Sequence, residues 1–126
     1  EVKRRVLLGT YVLSEGYYDA YYTKAQKIRR LIQNETERIL DDHDYILLPT
    51  TPNLPFKIGE KNKIATELYY EDIFTVQANL SGHPAITCPL GQIGGGFFGS
   101  VQIMGKFFSE LDMLHVLQNT ILNKMK

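Results

Sequence analysis

The residues with the clearest chemical potential are a basic cluster near the start of the chain and an acidic pair in its second half. Lys3, Arg4 and Arg5 are adjacent, and so are Glu71 and Asp72. An amino-acid ligand needs a guanidinium for its α-carboxylate and a carboxylate for its α-ammonium. The combination could therefore bind a free amino acid, but in a chain with 14 residues of each sign it is also typical of ordinary surface ion pairs.

Three glycines, Gly94, Gly96 and Gly99, satisfy the Gly-x-Gly-x-x-Gly pattern of a dinucleotide-binding turn. Such a turn needs a helix directly after it, whereas residues 97–104 alternate as in a strand. The glycines are therefore predicted to form a hairpin connection, because glycine readily adopts the backbone angles of tight turns.

His83 and Cys88 lie five residues apart and could form a thiol nucleophile activated by an imidazole. The sequence offers no third group to orient the imidazole, and free Cys is among the most buried residue types, so a buried structural Cys88 is favoured. His43 is predicted to be a helix C-terminal cap and His115 a helix-surface residue. Three scattered histidines do not indicate a metal site.

A locally basic segment, Lys24–Arg30, follows Tyr17, Tyr18, Tyr21 and Tyr22. Basic and aromatic side chains together could bind single-stranded nucleic acid through charge and stacking. A solvated basic face beside packed tyrosines is favoured, because the sequence has no extended basic stripe.

Hydrophobic spacing predicts two helices in the first third of the chain. The first runs from Val2 to about Ser14 and ends at Gly16, which suits the left-handed position after a helix. The second is expected to begin with Asp19 as its cap and to run to about Asp42. Its apolar stripe consists of Ala25, Ile28, Leu31, Ile32, Ile39 and Leu40.

The remaining pattern predicts a mixed α/β chain. The expected elements begin with a buried strand at Tyr45–Leu48 and an exposed loop over residues 52–66. A helix follows from about Glu67 to Leu80, either continuous or with a break, and Gly82 and Pro84 stop it before strands at Ala85–Pro89 and Phe97–Ile103. Ser109 and Asp112 have the spacing of a capping box at the start of a last helix. The inner face of that helix is predicted to contain Leu111, Leu114, Leu117, Ile121, Leu122 and Met125.

The composition excludes several classes of protein. With 126 residues the chain fits one domain or part of one, and its opening at Glu1 inside a helical pattern suggests a longer protein. No apolar run approaches the roughly 18 residues of a membrane span, and no secretory signal is present, so no membrane contact is expected. Zero net charge argues against a general nucleic-acid binder. The lone Cys88 excludes an internal disulfide and fits a reducing compartment, and we expect a cytoplasmic protein.

Eight stretches of the sequence form a recognisable set: Glu1–Leu13, Gly16–Tyr22, Lys24–Lys27, Pro49–Pro52, Phe56–Glu60, Asp72–Val76, Ala78–Gly82 and Gln102–Lys106. In their order and spacing they resemble the C-terminal region of the A subunits of glutamyl-tRNA(Gln) amidotransferases, which belong to the amidase signature family. The resemblance covers nearly the whole chain. It implies the C-terminal part of the amidase signature α/β/α fold, with a mixed sheet flanked by helices, so that residues 1–126 are a single fragment of an amidase domain.

The resemblance also implies a parent enzyme in which a Ser, cis-Ser, Lys triad releases ammonia from glutamine to convert Glu-tRNA(Gln) to Gln-tRNA(Gln). The implied partners are the B and C subunits, with ATP and magnesium acting on the B subunit and no cofactor in this chain. The glycine- and serine-rich signature of the family lies upstream of this region, and Gly99-Ser100 is the only Gly-Ser pair present. No catalytic residue is therefore expected here, and this fragment alone is expected to be inactive.

Residue by residue, the resemblance assigns the glutamine-binding arginine to Arg5 and its carboxylate partner to Asp72. Arg5 would bind the α-carboxylate of the substrate and Asp72 its α-ammonium, while Arg4 is expected to be a surface or interface charge. The sequence departs from the family pattern over residues 61–67, at His83 in place of a usual leucine, and over residues 98–100. These departures concern the scaffold more than the pocket.

The sequence leaves two other interpretations. One is another amidase of the family that acts on a small amide, which a pocket lacking Arg5 or Asp72 would favour. The other is a self-standing binding or assembly module that reuses this part of the fold and has a closed core. A piece of a larger domain should instead expose a large apolar surface.

Overall fold

The computed structural model describes residues 2–59 and 69–121, in which helices and strands follow one another as the sequence predicts. We number the elements in chain order: α1 (Val2–Val12), α2 (Lys24–Asp42), β1 (Ile46–Pro49), α3 (Val76–Ser81), β2 (Ala85–Gly94), β3 (Phe97–Met104) and α4 (Glu110–Val116). Two π-helical segments, Tyr18–Thr23 and Leu117–Ile121, precede α2 and continue α4. The α/β prediction is confirmed.

The first helix and the entry to the second differ in detail from the sequence prediction. α1 ends at Val12, and Gly16 has the positive φ angle, 83°, that the prediction requires. The prediction of Asp19 as the cap of the second helix is wrong, since its carboxylate accepts a hydrogen bond from Thr23 Oγ1 at 3.1 Å inside the π-helical segment. The Asp19 carboxylate thus binds the Thr23 hydroxyl, one turn later, and not the backbone amides at the start of the helix.

The three strands form one sheet in the order β1-β3-β2, and both pairings are antiparallel. β2 and β3 are joined at Gly95 and Gly96, whose φ angles are 59° and 81°. The glycine pattern is therefore a hairpin connection, as predicted. Gly99 serves a different purpose, because a Cβ there would lie 2.6 Å from Ile93 Cγ2 on the neighbouring strand.

The prediction of a buried first strand is wrong. β1 lies at the edge of the sheet and pairs only with β3, and its residues alternate between half-buried and exposed. Leu47 is 63% exposed, because the described residues cover only one face of the strand. The apolar run alone could not distinguish a strand covered on both faces from one covered on a single face.

The core lies between the hairpin and the last helix. It contains Cys88, Val101, Ile103, Met113 and Leu117. Cys88 is 1% exposed, which confirms the prediction of a buried structural cysteine. A free thiol in such a position behaves as a small apolar side chain.

The buried face of the last helix is only partly the predicted one, because Leu117 lies in the core as predicted but two of its predicted neighbours do not. Met113 is fully buried, whereas Leu111 and Leu114 are 72% and 51% exposed. The capping-box prediction is also wrong, because the Ser109 hydroxyl donates to the Lys106 carbonyl at 2.6 Å and makes no capping bond. The side chains of Ile121, Leu122 and Met125, which the prediction also placed on this face, lie outside the described residues.

Much apolar surface is left uncovered by the described residues. α1 buries none of its side chains, and Leu7 and Leu8 are 71% and 59% exposed. On α2 only Thr36 and Leu40 are buried, while Leu31 of the predicted apolar stripe is 59% exposed. This exposure matches the expectation for a piece of a larger domain rather than a closed module. None of the helices in the described ranges is long and apolar enough to cross a membrane.

Candidate functional site

Asp72 lies in a turn between helical residues 69–71 and α3, so the helix predicted from Glu67 to Leu80 has the break that the prediction allowed. The predicted start at Glu67 and the family departure over residues 61–67 lie outside the described residues, whereas residues 52–59 of the predicted exposed loop are irregular and exposed as expected. The Asp72 amide donates to the Tyr69 carbonyl at 3.3 Å. The Asp72 carbonyl accepts from the amides of Thr75 and Val76 at 3.1 and 2.9 Å, and from the Thr75 hydroxyl at 3.1 Å. These bonds hold the backbone of Asp72, while its side chain is exposed and its carboxylate accepts no hydrogen bond from any described residue.

The turn that carries Asp72 is anchored to the sheet by Gln102. The side-chain Nε2 of Gln102 donates to the carbonyl of Phe74 at 2.9 Å, and Gln102 is 4% exposed. No motif in the sequence points to a role for Gln102. The available signal was a single polar residue within the otherwise apolar end of β3, because a polar side chain in a buried strand needs a specific partner.

A second set of contacts joins α3 to α2. Gln77 donates from Nε2 to Thr36 Oγ1 at 3.3 Å, and the Thr36 hydroxyl donates to the Ile32 carbonyl at 2.8 Å. At the other end of α3, Arg29 Nε donates to the Leu80 carbonyl at 2.9 Å. Gly82 then ends the helix with a φ of 81°, as the sequence predicts.

The basic cluster lies on α1, next to the segment that carries Asp72. Arg4 Nη2 donates to the Tyr69 hydroxyl at 3.1 Å, and the Tyr69 carbonyl in turn accepts from the Asp72 amide. Arg4 and Arg5 are both exposed. The Arg4 side chain thus links α1 to Tyr69, three positions before Asp72.

His83 and Cys88 do not form a nucleophilic pair. Cys88 Sγ lies 3.5 Å from the Pro89 carbonyl in the core, whereas the His83 ring stacks on Phe107 with centroids 4.1 Å apart. His83 is 6% exposed, and its Nδ1 has no hydrogen-bond partner within the part of the chain that the structure describes. Burial lowers the pKa of His83, and the negative charge of Glu37 opposes that shift only partly.

The other histidines have the predicted roles. His43 follows α2, and its Nδ1 lies 3.0 Å from the Ile39 carbonyl in the last turn, which confirms a C-terminal cap. His115 is exposed on α4. Across residues 2–59 and 69–121, no three His, Cys, Asp or Glu side chains are grouped so that they could hold a metal ion.

The fold and the site define an α/β protein in which an acidic turn is anchored to the sheet by Gln102 and is preceded by Tyr69, which binds Arg4 of α1. More particularly, the chain belongs to the Amidase family, whose model matches residues 1–114. It is 53% identical over 116 residues to the A subunit of the glutamyl-tRNA(Gln) amidotransferase of Ectopseudomonas mendocina, covering 92% of this chain and 24% of that protein. The protein of the same name from Thermodesulfovibrio yellowstonii is 48% identical over 130 residues, covering 100% of this chain and 27% of its own length.

A solved structure supports the same family assignment. The crystal structure of the glutamyl-tRNA(Gln) amidotransferase A subunit from Thermotoga maritima matches with a TM-score of 0.70 and 44% identity, over 86% of this chain and 24% of that one. The chain therefore spans about a quarter of the length of these relatives.

Proposed function

We propose that this chain is part of the amidase subunit, called the A subunit, of a glutamyl-tRNA(Gln) amidotransferase. That enzyme releases ammonia from glutamine and uses it to convert Glu-tRNA(Gln) to Gln-tRNA(Gln). The observation that carries the proposal is the identity of 53% over 92% of the chain with a relative of that name. The uncovered apolar surfaces of α1 and α2 also support a role within a larger protein.

Within that enzyme, Arg5 and Asp72 bind the glutamine backbone. Arg5 holds the α-carboxylate through two parallel N–H bonds, and Asp72 accepts from the α-ammonium. Two observations support this role: the Arg4–Tyr69 contact joins α1 to the Asp72 turn, and the exposed Asp72 carboxylate accepts no hydrogen bond from the described residues. The pair orients the side-chain amide of glutamine toward a nucleophile outside residues 1–126.

The partners proposed for the parent enzyme are the B and C subunits, with Glu-tRNA(Gln) bound by the complex in the cytoplasm. In this proposal the B subunit uses ATP and magnesium, and this chain holds no cofactor. Because no triad residue is assigned to residues 1–126, the isolated chain is expected to release no ammonia from glutamine.

The test measures ammonia release from glutamine by the intact enzyme with Arg5→Gln and Asp72→Asn. Loss of one partner of a buried charge pair costs about 2–5 kcal/mol, which corresponds to a fall in kcat/KM of roughly thirty- to several-thousand-fold. Because the defect lies in glutamine binding, amide transfer to tRNA should persist when ammonium salts replace glutamine.

Arg4→Gln is the matched control, since it removes the same charge one residue away. The contact that it loses with the Tyr69 hydroxyl is exposed, so its effect on kcat/KM should stay below about tenfold. Equal losses in the Arg4 and Arg5 variants would contradict the assignment. Full activity toward a small amide, with no response to glutamine, would instead indicate the other class of amidase.

A further inference from the structure

A polar cleft of about 440 Å³ lies between α2 and the end of α3, away from the Asp72 turn. Its volume is within the range of small-molecule sites, roughly 300–1,000 Å³. The side chains that give it chemical character are Gln26, Arg29, Arg30, Gln33, Ser81 and Phe107. The glutamine site uses none of them.

The two arginines of the cleft are oriented but not neutralised. Arg30 Nη1 donates to Gln33 Oε1 at 2.7 Å, and Arg29 Nε donates to the Leu80 carbonyl, so both guanidiniums are held by neutral acceptors. Neither forms an ion pair with a carboxylate of the described residues, whereas Arg38 on the same helix bonds Glu35 at 2.9 Å. Each guanidinium has five N–H donors, so several remain for a ligand.

Phe107 supplies an aromatic surface to the same cleft. His83 stacks on its ring with planes 21° apart, and Phe107 is still 38% exposed. A carboxylate ligand would use the guanidiniums alone. A base attached to a phosphate would use the guanidiniums and the ring together, since bases stack on exposed aromatic side chains.

We propose that this cleft binds a nucleoside monophosphate unit, with the phosphate on Arg29 and Arg30 and the base against Phe107. Phosphate is favoured over carboxylate because a phosphate presents three oxygens, enough to accept from both guanidiniums and from Gln26, whereas a carboxylate presents two. The unit is a free nucleotide or one residue of single-stranded RNA, which present the same chemistry. The sequence favours a solvated basic face for Lys24–Arg30. In this proposal, Arg29 and Arg30 at the end of that face bind a ligand instead.

The test is calorimetric titration of the purified intact protein with AMP, adenosine and inorganic phosphate at low salt. AMP should bind at least about tenfold more tightly than either of its parts, because it occupies both halves of the cleft. Arg30→Gln should weaken AMP at least about tenfold and leave adenosine unchanged. Phe107→Leu should weaken AMP about fivefold or more and leave phosphate unchanged, and Phe107→Tyr should restore the affinity for AMP.

Arg38→Gln is the matched control, because it removes the same charge from the same helix at a position already paired with Glu35. It should leave every affinity unchanged, which distinguishes a specific role of Arg30 from a general effect of losing one positive charge. Arg29 is left intact because its bond to Leu80 holds the end of α3. If a single-stranded RNA oligonucleotide binds and its binding requires Arg30, the bound unit comes from RNA. If AMP binds and the oligonucleotide does not, the ligand is a free nucleotide.

Three results would overturn the proposal. The first is an equal loss of AMP affinity in Arg38→Gln and Arg30→Gln, which would mean a general charge effect. The second is AMP binding no tighter than inorganic phosphate, which would exclude a base subsite. The third is competition by acetate as strong as that by phosphate, which would assign the arginines to a carboxylate, such as one from a partner protein.

Discussion

Replacement of Gln102 by Met tests how the acidic turn is held. The Gln102 amide is nearly inaccessible and donates to the Phe74 carbonyl at 2.9 Å, two residues after Asp72. Methionine has a similar length and volume but no N–H donor, so the substitution removes the bond with little change in packing. The Phe74 carbonyl then lacks its side-chain donor.

The magnitude follows from the loss of one buried hydrogen bond. The net value of such a bond is about 1 kcal/mol, and a buried carbonyl left without its partner costs about 1–3 kcal/mol. If the turn opens to hydrate the Phe74 carbonyl, the position of Asp72 is no longer fixed. The KM for glutamine should then rise by about five- to hundredfold, because 1.4 kcal/mol corresponds to a factor of ten.

The assay measures KM and kcat for glutamine in the proposed parent amidotransferase, together with its urea unfolding. Gln77→Met is the control, because it removes the same kind of donor from a bond to Thr36 that joins α3 to α2. We expect both variants to lose stability but only Gln102→Met to raise the KM. An unchanged KM in Gln102→Met, or an equal rise in both variants, would refute the reasoning that this bond positions Asp72.

Three further predictions concern stability and reactivity. Gly105→Ala should destabilise the protein by about 1–3 kcal/mol in urea unfolding, because the new Cβ would lie 2.7 Å from Met113 Sδ. Gly9→Ala should instead be stabilising, since nothing lies within 4 Å of the new Cβ there. An equal loss of stability in the two variants would exclude a steric cause. Burial lowers the pKa of His83, so near the ordinary value of 6.5 the unfolded chain binds a proton that the folded chain does not. The free energy of unfolding should therefore fall as the pH drops below that value. His83→Leu should remove this contribution, which unfolding midpoints measured at several pH values would show. Cys88 is 1% exposed and should react with a thiol reagent only after unfolding, so rapid labelling of the native protein would contradict its place in the core.

Sequence reasoning worked where structure depends on adjacent residues. The stop at Gly82, the glycine connection between β2 and β3 and the cap at His43 follow from backbone angles and hydrogen bonds that span a few positions. The resemblance to the amidase family also rests on short stretches in a fixed order, and the family model confirms it over residues 1–114. The roles of Arg5 and Asp72 remain predictions.

Sequence reasoning failed where an outcome depends on distant residues. Helical spacing predicted that Leu111, Leu114 and Leu117 would face inward, and only Leu117 does. Met113 is buried in place of the other two, because the side of the helix that it occupies packs against the hairpin. The Leu47 side of β1 is exposed because the described residues cover one face of that strand. Periodicity identifies an apolar face but not the element that covers it.

The sequence by itself determined the kinds of element, their order and the family, because these depend on local backbone preferences and short motifs. Only the tertiary structure decided that Gln102 holds the Asp72 turn and that Arg4 joins α1 to Tyr69. It also decided that Arg29 and Arg30 border a cleft with Phe107. These contacts join residues far apart in the chain, and their bonds form only when packing brings the elements together, so no local pattern records them.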